Sequence, residues 1–266
     1  MKKFIQTTAL ALLVLVAGFS SCRKHDDAES DLTSMQDQNS ADFNTDLIVK
    51  EVDMAATDGG LKKGAYPIVT IDSISSPKTM SIDYGSTNYL CEDGNLRRGV
   101  ILVTWTGPYR DPGTVITITF NNFYQNDNLI EGSKTVSNMG LNAENQMTYT
   151  VTANMKVTNT SNEVYSWTST RTRTWIAGYD TKTRLDDIYL VSGTSTGTNR
   201  KGMSFTAKTT KDLRIDLSCQ WRIVSGTLEM NPEGKATRVV DYGNGTCDNV
   251  ITVTVNGKTR TMSRRK

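Results

Sequence analysis

The chain has 266 residues, with 30 Lys and Arg against 28 Asp and Glu for a formal net charge of +2, four Cys and one His. The single imidazole, His25, sits in the charged run Arg23-Lys24-His25-Asp26-Asp27. This excludes Ser-His-Asp and Cys-His catalysis and His-rich metal centres, which need an imidazole positioned inside a folded site, and the balanced, scattered charge argues against nucleic acid as a partner.

Taken in order, the chain opens with the basic pair Lys2 and Lys3, an apolar run from Ala9 to Ala17 too short to span a bilayer, and the small residues Ser20 and Ser21 before Cys22. That order predicts a signal segment over 1–21 that is removed. Phe19-Ser20-Ser21-Cys22 resembles a bacterial lipoprotein signal, in which cleavage leaves a lipid-modified Cys as the first residue. Phe19 stands where Leu is usual, so ordinary secretory cleavage is the alternative. The run from Arg23 to Asp27 is similar to the charged tags that send some Gram-negative lipoproteins to the cell surface. The resemblance implies an outer-membrane, surface-exposed protein anchored through Cys22, with the membrane as its first partner.

Residues 22 to 60 carry ten acidic residues against Arg23, Lys24 and Lys50, whereas 61 to 266 carry 25 basic against 18 acidic. Residues 22–40 have little to bury and are expected to form a flexible acidic tether. Phe43, Leu47, Ile48, Val52 and Ala55 recur at helical spacing before Gly59-Gly60, which predicts one short amphipathic helix over 41–58. From Tyr66 the period changes to two. Met147 to Val157, Leu213 to Ile223, Ile116 to Phe120 and Ile251 to Val255 each alternate apolar with polar residues, as antiparallel strands with one buried face do. The fold class is therefore mainly β: residues 62–266 as an antiparallel hairpin meander, curled into a sandwich or a barrel-like sheet so that its apolar faces are covered.

Three segments repeat a pattern: Ile130-Glu131-Gly132-Ser133 with Asn138 and Gly140, Val191-Ser192-Gly193-Thr194 with Asn199 and Gly202, and Val224-Ser225-Gly226-Thr227 with Asn231 and Gly234. Each reads as a strand bent at a Gly and followed by a turn. A second echo pairs Asp83-Tyr84-Gly85, before Cys91, with Asp241-Tyr242-Gly243, before Cys247. With its Gly132 to Val136, Thr170 to Trp175 and Asp241 to Cys247 segments, the domain is similar to a family of Gram-negative surface lipoproteins. The resemblance implies a location and a β-rich fold and carries over no functional residues.

If Cys22 is acylated, three Cys remain, enough for one bridge. Taking Asn231-Pro232-Glu233-Gly234 as a hairpin turn sets Met230 opposite Lys235 and Cys219 opposite Thr246, so a one-residue bulge near Gly243 would pair Cys219 with Cys247 and leave Cys91 unpaired. Tyr165, Trp167, Arg171, Arg173 and Trp175 share one strand face, a candidate surface for sugars or acidic polymers. The competing expectation is that both Trp enter the core while the Arg stems run over apolar surface. The acidic loops Asp180 with Asp186-Asp187, and Asp241 with Asn244 and Asp248, match no full calcium-loop pattern. No metal or other cofactor is expected.

These features predict a non-enzymatic binding or scaffolding domain on a lipid anchor, whose outer partner is an extracellular glycan or an envelope protein. A surface glycan hydrolase working through paired carboxylates is the alternative. A transmembrane β-barrel fits the strand pattern but not the lipid anchor or the Arg264-Arg265-Lys266 ending.

Overall fold

Val, Ile, Thr and aromatic residues at alternate positions favour a pleated, half-buried surface, and the computed structural model, which describes residues 31–38, 48, 52, 67–181 and 183–264, is built almost entirely of such strands. In chain order they are β1 (Ile68–Asp72), β2 (Lys78–Asp83), β3 (Tyr89–Leu90), β4 (Leu96–Trp105), β5 (Val115–Gln125), β6 (Asn128–Leu141), β7 (Met147–Thr158), β8 (Val164–Ala177), β9 (Ile188–Thr198), β10 (Ser204–Asp216), β11 (Ile223–Pro232), β12 (Arg238–Asn244), β13 (Val250–Val255) and β14 (Lys258–Ser263). Every pairing is antiparallel. Apart from β3, which lies beside β4, each strand pairs with its sequence neighbours, giving one continuous meander with β1 and β14 as its edges. The sheet is thus the expected meander, neither split into a sandwich nor closed. The 1–21 segment, Cys22 and most of the 41–58 helix lie outside the described residues.

On β7, Met147, Tyr149, Met155 and Val157 are buried while Thr152, Asn154 and Lys156 face solvent. The same alternation runs from Met80 and Ile82 on β2 to Ile251, Val253 and Val255 on β13, and these side chains form one apolar core. A sheet wider than about ten strands is expected to curl or split; the buried face joins Met35, Ile48 and Val52 in one cluster, and each large side chain on it contributes roughly 1.5–3 kcal/mol by leaving water. Threonine fills the outer face. Thr79, Thr104, Thr117, Thr135, Thr152, Thr170 and Thr194 stand side by side across β2 and β4 to β9.

The repeated glycines mark where strands crowd. Gly132, Gly193 and Gly226 have φ of +113, +147 and +107, and a Cβ on each would lie 2.1, 2.2 and 2.3 Å from a carbonyl oxygen of the neighbouring strand. Two of the three predicted turns are present, at 199–202 and 232–235. The third is not: Asn138 and Gly140 lie inside β6, where the Asn138 side chain accepts from Gly140 N at 2.8 Å and makes a bulge. The Asp-Tyr-Gly echo also has a physical basis. Asp83 and Asp241 each accept the backbone N–H two residues on, at 2.7 and 2.8 Å, and the intervening Tyr84 and Tyr242 are buried beside Arg97 and Arg264.

The two ends of the sheet differ. Loops 106–114, 142–146, 178–187, 217–222 and 245–249 lie at one end, here the long-loop end; the compact turns at 126–127, 159–163, 199–203, 233–237 and 256–257 lie at the other, the tight-turn end. The Cys219–Cys247 bridge joins two loops of the first set, with Cα atoms 5.5 Å apart, and Cys91 is buried and unbridged. The register behind the expected pairing is different, however: Met230 faces Arg238, not Lys235. Nor is Leu213–Ile223 one strand. Asp216 accepts from Ser218 N at 2.9 Å and Arg222 takes φ +59, so the chain turns between β10 and β11 and puts Cys219 in the loop.

The acidic tether is also corrected in part. Residues 33–38 form a short helix, α1, on the tight-turn end. Asn199 Nδ2 donates to Ser34 Oγ at 2.9 Å, Arg200 N donates to Asp37 Oδ2 at 2.9 Å, and the Arg200 guanidinium pairs with Asp37 at 3.1 Å. Asp37 is only 4% exposed, a burial that its pairing with Arg200 makes tolerable. Of the helix expected over 41–58, Ile48 and Val52 are described; both are helical and buried, four residues apart on one face.

Candidate functional site

The predicted face of β8 is brought together by the backbone but points into the core. Trp167 and Trp175 are each 5% exposed, which is the competing expectation for these two side chains and removes them as an open platform. The face also divides. Tyr165 stacks on Trp167 with ring centroids 6.0 Å apart near the tight-turn end, where burial and the nearby Asp37 push the Tyr165 phenol up to about 12. Arg171 lies opposite Val151 and Gly193 in mid-strand, half-buried. Arg173 and Trp175 belong to the long-loop end.

There the register places Tyr149 beside Arg173 and Tyr189 beside Trp175. The Arg173 guanidinium lies 5.1 Å from the Tyr149 ring centre and 5.0 Å from that of Tyr189, and it donates to the Tyr109 hydroxyl. Tyr109 comes from loop 106–114 and stacks on Tyr149 at 4.7 Å. Asn138 Nδ2 holds the Tyr109 carbonyl at 3.0 Å, so the β6 bulge is what seats this loop. The next residue, Arg110, is exposed and lies 4.9 Å from both the Trp175 and Tyr179 rings, with Nη2 donating to Thr181 O at 3.0 Å. Loop 106–114 is thereby fastened to loop 178–187, four strands away in the sheet.

Electrostatically the cluster sets two cations, Arg173 and Arg110, among neutral rings. Burial drives the Tyr149 and Tyr189 phenols far above their ordinary value of 10.0, so neither serves as a base in water near neutrality. Asp187, 2% exposed, accepts from Tyr189 OH at 3.1 Å, and burial raises its carboxyl above the ordinary range. The acidic loops are occupied with turn chemistry: Asp186 accepts from Thr181 Oγ1 at 3.0 Å, Asn244 from Thr246 Oγ1 at 2.9 Å and Asp248 from Val250 N at 2.9 Å. Sequence reasoning found Arg173 and Trp175 and singled out Asp187 only as part of an acidic loop, but missed Tyr109, Arg110, Tyr149, Tyr179 and Tyr189. Tyr149 and Tyr189 were within reach, because hairpin register alone places them beside the β8 face. Tyr109 and Arg110 were not, since no local pattern signals a loop that crosses four strands.

Cation–π contacts at exposed sites contribute ~0.5–1 kcal/mol each. Arg110→Ala should therefore cost about 1–2 kcal/mol for its two rings and speed hydrogen exchange in 106–114 and 178–187 together. Unchanged exchange in loop 178–187 would mean that Arg110 does not fasten it. No family model, curated protein or solved structure matches the chain.

Proposed function

We propose that the chain is a lipid-anchored protein of the bacterial outer membrane, exposed at the surface, whose β domain binds or scaffolds an extracellular glycan or an envelope protein without catalysing a reaction. The observation that carries this reading is the sequence order Lys2-Lys3, apolar Ala9 to Ala17, then Ser20-Ser21-Cys22. The domain is compatible with it: its described strands share one core of apolar side chains, and the long-loop cluster offers arginine among phenols held far from neutral titration. Attachment is assigned to a lipid on Cys22. Each buried acyl CH₂ contributes ~0.8 kcal/mol, so Cys22→Ala should move the protein from the membrane to the soluble fraction. Mass spectrometry of the mature N-terminus should find acyl chains on Cys22. An unmodified N-terminus upstream of Cys22, or a mutant that stays with the membrane, defeats the proposal.

A further inference from the structure

The position of α1 bears on how the domain stands on the membrane. The helix is seated at the tight-turn end through Ser34 and Asp37, which are bound to Asn199 and Arg200 of the β9–β10 turn. Between Cys22 and Leu32 the chain has ten Cα steps, which reach at most ~35 Å when fully extended. Strand β8 alone has 14 residues and spans about 45 Å at the usual rise. A chain anchored at Cys22 is too short to run from the lipid past an inverted domain to α1.

Resting on the lipid-anchor reading, we propose that the seated helix orients the domain: the tight-turn end faces the lipid surface, and the long-loop end, with Arg110, Tyr109 and Tyr179, is held outward as the surface open to partners. Seating α1 is what makes the tether short. Released, α1 would no longer hold the chain close to Leu32, and the longer tether would relax the constraint on orientation.

The test places one fluorophore at either end of the lipidated chain on vesicles carrying a headgroup quencher. Glu233→Cys reports the tight-turn end and Glu144→Cys the long-loop end; both positions are exposed. Cys91 is buried and the remaining pair is bridged, so the parent chain sets the labelling background. Quenching at position 233 should exceed that at 144 several-fold. In the Asp37→Ala, Arg200→Ala double variant the contrast should shrink. Equal or reversed quenching in the parent, or an undiminished contrast in the double variant, overturns the proposal. Intact mass of the same sample reports lipidation separately. The chain with residues 22–27 replaced by six histidines, held on nickel-chelating vesicles, keeps the same tether length, removes the Cys22 thiol and repeats the comparison whichever way lipidation falls. Failure of the anchor is thereby told apart from failure of the orientation.

Discussion

Gly193→Ala is expected to lower the melting temperature by roughly 6–12 °C, from a stability loss of ~3 kcal/mol and the ~2–4 °C per kcal/mol found for domains of this size. The residue sits at φ +147, and the added Cβ would lie 2.2 Å from Thr170 O and 2.7 Å from Arg171 Cα. Both are backbone atoms of β8, so no side-chain rotation relieves the clash; β8 and β9 must separate where Gly193 faces Arg171. On its other side the β9–β10 register shifts between Lys208 and Leu213, which places the glycine at a bend of the sheet. Gly132→Ala and Gly226→Ala should behave alike, because their clashes are also with neighbouring-strand carbonyls. Thr194→Ala, an exposed neighbour, is the control and should change stability by no more than about 0.5 kcal/mol. Thermal and urea unfolding read all four variants. A Gly193→Ala protein that melts with the parent would show that the strands can part without loss.

The second large effect concerns the bridge between loops 217–222 and 245–249. Its cysteines are 28 residues apart, and chain-entropy reasoning for a loop of that length gives about 3.5 kcal/mol of stabilisation. Cys219→Ser with Cys247→Ser should therefore lower the melting temperature by roughly 7–14 °C, and reduction of the parent should reproduce much of the loss. Hydrogen exchange should rise first in loops 217–222 and 245–249, which lose their covalent tie while Arg264 still fastens them by donating to Trp221 O at 3.0 Å, Ile223 O at 2.9 Å and Asp248 O at 2.7 Å. If the double variant unfolds no more easily than the parent, the folded loops hold themselves together without the covalent link.

Alternation made the sheet legible. β7 could be read from Met147 to Val157 residue by residue, and the glycine repeat pointed to three equivalent bends before any coordinate was known. What failed were arguments that depended on where a strand stops. Leu217, Cys219 and Trp221 continue the apolar period of β10, yet Asp216 caps a turn, and the period persists across it because those side chains still face the protein. The Cys219–Cys247 proximity followed from that turn and not from the hairpin register assumed for it. The acidic stretch containing Ser34 and Asp37 was misjudged for a related reason: composition counts polar side chains as solvated, whereas these are paired with Asn199 and Arg200. The β8 face shows the same limit, since same-face placement of Trp167, Arg173 and Trp175 was readable but the side toward which the sheet curls was not.

The meander also has a consequence for how the chain acquires its structure. Because nearly every strand pairs with the one just made, ordering can spread hairpin by hairpin from either end, each step closing only a short loop. The contact between Ser34 and Asn199 is of another kind, joining residues 165 positions apart. A polypeptide made N-terminus first would assemble its sheet progressively as it emerges. Its leading helix would wait for the β9–β10 turn, making that seat one of the last contacts completed.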